Sequence, residues 1–310
     1  MNQVTLQISL APSDYGHCIQ LLPHQIKVFE NQVDEILLTY DIHKSKGRFS
    51  LNWEENNHKM WDFLTEYEKK NPKIRLVKID YSKAKKFEIA QKYFKLKTIP
   101  AKDWRGGPFY TYFFGLNEAK NDFVFHIDSD MFFGGMSQTW IQEAREMYES
   151  DTKILFLNPL PGPPREDGQL IGQICLPYKN KPYCFQFKSM STRLFFVNRS
   201  RLFPIQIKNI RTFKFREFLR ALSKKNPPFR LPETILSDLL LQNNKLRVDF
   251  LGDGNGLWSL HPPYRTRFFY DNLPNIISRI EKFEVPESQK GFYDIVDEFV
   301  DWKEAKIKLK

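Results

Sequence analysis

Residues 123–130 read FVFHIDSD, and this stretch decides the fold. A short apolar run of strand length stops on two aspartates one residue apart. With 18 Asp in 310 residues, about one D-x-D is expected by chance, so the tripeptide alone carries no meaning. Its position does, because open α/β sheets bind their ligands at the C-terminal ends of their strands. Asp128 and Asp130 at such an end can both reach a hard divalent cation that keeps its other positions for phosphate oxygens and water. The bland alternative is a solvated acidic turn that opens the next helix.

Toward the N-terminus the chain alternates two periodicities. Val4–Leu10, Glu35–Tyr40 and residues 74–79 read as strands, and residues 15–31, 53–70, 83–93 and 108–120 as helices. Strands alternating with helices predict β-α-β units and a mainly parallel sheet. Toward the C-terminus the spacing predicts a helix over 138–150, a strand over 153–157 and an exposed loop over 159–172 (PLPGPPREDGQLIG). Strands over 183–187, 193–197, Leu246–Phe250 and 257–260 follow, with helices over 213–223, 233–243, 273–283 and 293–308. The expected class is a Rossmann-like α/β fold with a mixed, mainly parallel central sheet. Its expected parts are a nucleotide-binding half (1–130), an acceptor half on the same sheet (131–262) and a helical C-terminal appendage (263–310).

Composition narrows the class. Aromatic residues make up 15% of the chain, which is incompatible with disorder. No apolar run reaches the ~18 residues of a membrane span, and no basic-then-apolar leader is visible. Cys18, Cys175 and Cys184 lack the spacing of a disulfide framework or a zinc site. The expected setting is therefore soluble, reducing and cytoplasmic. A net charge of +10 suits an enzyme of anionic substrates, a protein resting on an anionic membrane, or a nucleic-acid binder. No nucleic-acid-binding motif accompanies it, so no nucleic-acid partner is expected. The tail VDEFVDWKEAKIKLK has apolar and basic faces, which would allow peripheral contact with the inner face of a membrane.

The segment leading into the aspartates resembles family-2-like glycosyltransferases of the GT-A type. Their pattern G-G-P-S-x-A-R-N-x-G-L is matched here by Gly106-Gly107-Pro108 and Gly115-Leu116, followed by Asn121-Asp122-Phe123 and, without a gap, Asp128. The family's Arg-Asn pair falls on Tyr112-Phe113, a departure. The resemblance implies transfer of a sugar from a UDP- or GDP-sugar to a glycan, lipid-linked or small-molecule acceptor. It also implies a divalent cation, Mn²⁺ or Mg²⁺, held by Asp128 and Asp130. A late histidine completing that site falls on His261, and a nitrogen ligand suits Mn²⁺ better.

The same resemblance places donor contacts at Pro12 and Tyr15 after the first strand, at Asp41 and Asp80 after the second and third, and at Gly107 and Ser129; Arg105, the nearest cation to the glycines, could pair with a phosphate or be an ordinary loop arginine. Asp41 and Asp80 could accept from a base or ribose, or could simply start loops and helices. Glu233, opening a helix after Pro232, falls where inverting members put their catalytic base, although their second acid falls on Thr234. Residues 159–172 are a candidate acceptor-side flap.

Two other classes stay open. A sugar-nucleotide pyrophosphorylase would want a glycine-rich loop where this chain has LAPSDYGHC, and a metal-dependent nuclease or nucleic-acid binder would want further acids beside the pair. A P-loop is absent.

Overall fold

The computed structural model describes residues 3–44 and 50–309. The elements, in chain order, are β1 (Val4–Leu10), α1 (Tyr15–Phe29), β2 (Glu35–Tyr40), α2 (Trp53–Lys70), β3 (Ile74–Lys78), α3 (Lys83–Phe94), α4 (Tyr110–Glu118) and β4 (Phe123–Asp128). The chain continues through β5 (Phe132–Gly134), α5 (Trp140–Ser150), β6 (Ile154–Pro161), β7 (Leu176–Pro177), β8 (Cys184–Phe187), β9 (Leu194–Asn198) and α6 (Arg199–Leu202). It ends with α7 (Phe215–Ser223), α8 (Pro232–Gln242), β10 (Leu246–Phe250), β11 (Trp258–Leu260), α9 (Arg267–Glu281) and α10 (Lys303–Leu309).

The main sheet runs β3-β2-β1-β4-β9-β6-β10-β8-β7. Strands β3, β2, β1 and β4 are mutually parallel. Antiparallel β9 lies between β4 and β6, so β6 and its parallel neighbour β10 point the same way as the first four. The expected mixed, mainly parallel α/β sheet is what the chain builds, and one sheet runs through the 1–130 and 131–262 segments. The strands are apolar because helices cover both faces. Along β4, Phe123, Phe125 and Ile127 enter the core under α1, α2 and α5, while Val124 enters the core under α3, α4 and α8. Gly115 lets α4 lie directly on β1, since a Cβ there would sit 2.7 Å from the Gln7 side chain.

Several segments differ from the sequence reading: β7 and α6 were not expected, α9 begins at Arg267 rather than near 273, and three further differences shape the edge that carries the site. The strand expected to stop at residue 157 runs to Pro161, fully buried, so residues 159–161 are strand and not loop. The prolines fit because the donors that β11 needs come from their neighbours: Leu160 N donates to Leu257 O and Gly162 N to Ser259 O. Helix over 293–308 is confined to α10. Residues 293–295 instead pair with the end of β11, His261 N donating to Tyr293 O and Ile295 N to His261 O, and this tertiary pairing outweighs local helix propensity. The C-terminal segment is thus helical only in part. Strand β5 was not foreseen, and it turns away from β4 to pair antiparallel with β11.

Candidate active site

The chain leaves β1 for β2 and β3 on one side and returns through β4 on the other. The crevice between β1 and β4 is therefore the point where strand order reverses, at the C-terminal edge. Two turns face each other there. After β1, Ala11 N donates to Asp14 Oδ2 (2.9 Å), closing a tight turn over Pro12–Asp14. After β4, Asp128 N donates to Arg193 O (2.7 Å), and Gln25 Nε2 of α1 donates to the carbonyls of Asp128 (3.2 Å) and Met131 (2.9 Å). The acidic turn is thereby fixed from both sides.

Asp130 is the buried centre of this edge. Arg265 Nη2 donates to its Oδ2, and His261 Nε2 lies 3.9 Å from the same oxygen. Burial works to raise the Asp130 carboxyl, but Arg265 beside it holds it well below the usual carboxylate range. Asp14 is the opposite case: burial pushes its carboxyl up to about 6, with Arg265 working against the shift and Asp130 adding to it. Burial lowers His17 to about 3, so its ring is neutral near pH 7, and its Nε2 sits 3.1 Å from Ser129 Oγ. Burial also raises Asp128, which His126 partly offsets from 3.5 Å.

His261 is oriented like an imidazole meant to present Nε2. Its Nδ1 donates to Asp294 Oδ1 (2.8 Å) and its ring stacks on Tyr293, which turns Nε2 toward the Asp130 side of the site. Two carboxylates and such a nitrogen are the donor types a divalent cation takes. In the present arrangement the cation on Asp130 is the Arg265 guanidinium, and among the described residues no three His, Cys, Asp or Glu groups gather closely enough to hold a metal ion.

Above Asp130 opens a cleft of about 850 Å³, walled by Ser13, Arg193, the loop from His261 to Arg267, Tyr270 of α9 and Glu304 of α10. Arg193 also lines a second, polar cavity of about 220 Å³ with Asn158, Ser191, Asp249, Ser259 and Tyr293, so the two spaces adjoin.

The other sequence candidates fall into distinct places. Asp41 is buried at the end of β2, its Oδ1 accepting from Tyr81 Oη (2.9 Å) and Lys102 Nζ lying 3.9 Å from Oδ2. Asp80 takes the turn role, accepting from Ser82 N (2.7 Å) at the start of α3. Pro12 is buried in its turn and Tyr15 packs partly buried on the core. Ser129 points inward to His17. Arg105 is exposed over the Trp104 ring. Gly107 N donates to Asp103 Oδ1 (2.9 Å), and a Cβ on Gly107 would lie 2.8 Å from the same carboxylate, so this glycine serves the loop's own closure. Glu233 stands in the first turn of α8. Burial, then the charges of Asp128 and Glu233, raise the buried Tyr112 hydroxyl, so both carboxylates are felt at one phenol.

Sequence reasoning missed Asp14, His17, Arg193, Arg265 and Asp294. Asp14 and Arg265 lay beside residues already singled out, in PSDY and HPPYR, but their convergence on Asp130 has no local signal.

No protein-family profile matches the chain, and no curated protein matches it. Among solved structures, S. aureus TarS bound to UDP-GlcNAc is 11% identical, with a TM-score of 0.43 over 92% of this chain and 68% of that one. An active-site mutant of LgtC is 11% identical, with a TM-score of 0.35 over 93% of this chain and 99% of that one. Mouse xyloside xylosyltransferase 1 is 12% identical, with a TM-score of 0.35 over 80% of this chain and 84% of that one. Identities this low give no residue-by-residue correspondence.

Proposed function

We propose that this chain is a GT-A-type glycosyltransferase, moving a sugar from a UDP- or GDP-sugar to an acceptor hydroxyl with inversion. One observation carries the reading: the sheet's switch point opens into a large cleft floored by an ionised Asp130 and flanked by Arg193 and Arg265. A nucleoside diphosphate is the kind of ligand such a crevice takes, and two guanidiniums suit its phosphates. Until a cation binds, Asp130 would hold Arg265 at the floor of the cleft. Asp41, with Tyr81 and Lys102 around it, would accept from the base or ribose at the end of β2.

Asp128, Asp130 and His261 are the residues that would hold a divalent cation, which when bound would neutralise charge on the departing diphosphate. Arg265 would have to yield its place on Asp130 Oδ2. Glu233 is the candidate base: it stands half-buried in the first turn of α8, and its charge reaches the same buried phenol as that of Asp128. A base of this kind takes the acceptor hydroxyl's proton as the sugar–phosphate bond breaks.

The test is a screen of NDP-sugars with and without Mn²⁺, followed by single-turnover transfer with Glu233→Gln. Transfer should fall at least about a hundredfold, the low end for loss of a general base, while donor affinity hardly moves. A product of retained configuration would remove Glu233 from the mechanism, and failure of every NDP-sugar to bind would overturn the reading itself.

A further inference from the structure

Helix α7 turns its apolar face away from the protein. Phe215, Phe218, Leu219 and Leu222 stand at i, i+3, i+4 and i+7, the stripe that normally faces a core. Their exposure, together with that of Phe213 just ahead of the helix, runs from 40% at Phe218 to 81% at Phe213. The helix is anchored by its other side, where Ala221 is fully buried and Glu217 Oε2 accepts from Thr212 Oγ1 (2.5 Å). Cations ring the stripe: Lys214 before the helix, Arg216 and Arg220 along its flank, and Lys224 and Lys225 after it, all exposed. Among the described residues no carboxylate pairs with Arg216, Arg220, Lys224 or Lys225. The lone acid of the helix, Glu217, is engaged with Thr212 and lies 3.7 Å from Lys214.

From this geometry we infer that α7 and Phe213 form a membrane-docking surface whose partner is an anionic lipid bilayer. A helix with an aromatic and leucine face bordered by Lys and Arg lies in the bilayer interface, its rings among the acyl chains and its cations at the headgroups. Charge decides the occupant. A second copy of this chain, itself at +10, would bring the same basic rim against this one. An anionic leaflet neutralises it. In the C-terminal tail, where a membrane contact was expected, Phe299, Val300 and Trp302 are buried, Trp302 Nε1 donating to Ile295 O (2.8 Å), while Lys303, Lys306 and Ile307 are exposed and Lys306 pairs with Asp297 of the same segment. This inference rests on α7 alone and is independent of the glycosyltransferase reading.

Vesicle sedimentation tests it, using phosphatidylcholine with and without phosphatidylglycerol. The intact chain should bind the anionic vesicles and leave the neutral ones, and the binding should weaken as salt screens it. Arg216→Glu/Arg220→Glu should weaken binding at least about twenty-fivefold, since each surface cation is worth roughly fivefold. Phe215→Ser/Leu222→Ser should also release the protein, and Lys303→Glu/Lys306→Glu, an equal change of charge on the tail, should not. All altered side chains are on the surface, and circular dichroism checks that each variant folds. Phe218→Trp should give a blue-shifted emission on anionic vesicles. Equal loss from the tail variant, binding that ignores lipid charge, no binding at all, or a dimer in ultracentrifugation that Leu222→Ser dissolves would each overturn the proposal.

Discussion

Asp130 and Arg265 form an ion pair at the floor of the cleft, in which Arg265, against the effect of burial, holds the carboxyl well below the usual carboxylate range. Removing the carboxylate leaves a guanidinium without its partner, but Arg265 keeps 30% of its side chain exposed and can turn to solvent. Asp130→Asn should therefore fold, with a loss below the roughly 3–5 kcal/mol of breaking a fully buried pair. Its Mn²⁺-enhanced affinity for UDP or GDP should disappear, because an amide does not replace a carboxylate on a hard cation. Isothermal titration on the folded variant decides it: unchanged enhancement would take Asp130 out of any metal site. The pair also explains why the D-x-D was worth reading while its partner was not. Asp128 and Asp130 are adjacent to a recognisable strand, whereas Arg265 reaches the same edge only through a loop 135 residues later.

At the scale of elements, helix α9 is tied to α1 through the carboxylate of Glu281. His24 Nε2 accepts from Phe133 N (3.1 Å), so its Nδ1 carries the proton and donates to Glu281 Oε1 (2.8 Å), while Lys27 Nζ donates to Oε2 (2.6 Å). These partners, His24 first, hold Glu281 down at about 2 against an ordinary 4.5. The unfolded chain therefore binds more protons than the folded one between those values. The contribution is fully present above about pH 4.5 and is lost as pH falls toward 2. Glu281→Gln should melt lower at neutral pH and show a flatter acid limb across that window, in thermal scans at a series of pH values. A parallel acid limb would mean that the contact does not hold α9. Most elements were legible beforehand because apolar periodicity is local: β2, α2 and β10 fall where the pattern puts them. The exceptions at β5 and at residues 293–295 are segments whose pairing partner is β11, distant in sequence.

Across the whole molecule, the cleft draws its walls from the β1 turn, α2, the His261–Arg267 loop, α9 and α10. A ligand filling it binds only the folded arrangement and so stabilises it. Because Glu304 and Ala305 of α10 belong to the wall, nucleotide should protect the C-terminal tail from carboxy-terminal trimming as well as raise the melting temperature. Limited proteolysis with and without UDP or GDP reads this out, and tail cleavage at an unchanged rate would place the ligand elsewhere. The sequence by itself determined the α/β class, the run of strands and helices through β4, and the position of Asp128 and Asp130 at a strand end. Those features follow from side-chain periodicity and from turn chemistry within a few residues. Only the tertiary structure decided that Asp14, Arg193, His261 and Arg265 meet around Asp130, and that Gly107 and Asp80 serve their own loops. It alone decided, too, that the apolar stripe of α7 faces outward while Phe299, Val300 and Trp302 of the tail pack inward. An amphipathic helix reads the same whether its face is covered or bare, and an ion pair between distant loops leaves no periodicity to read. Both depend on where the sheet brings the chain back, which is fixed by strand pairing over long range.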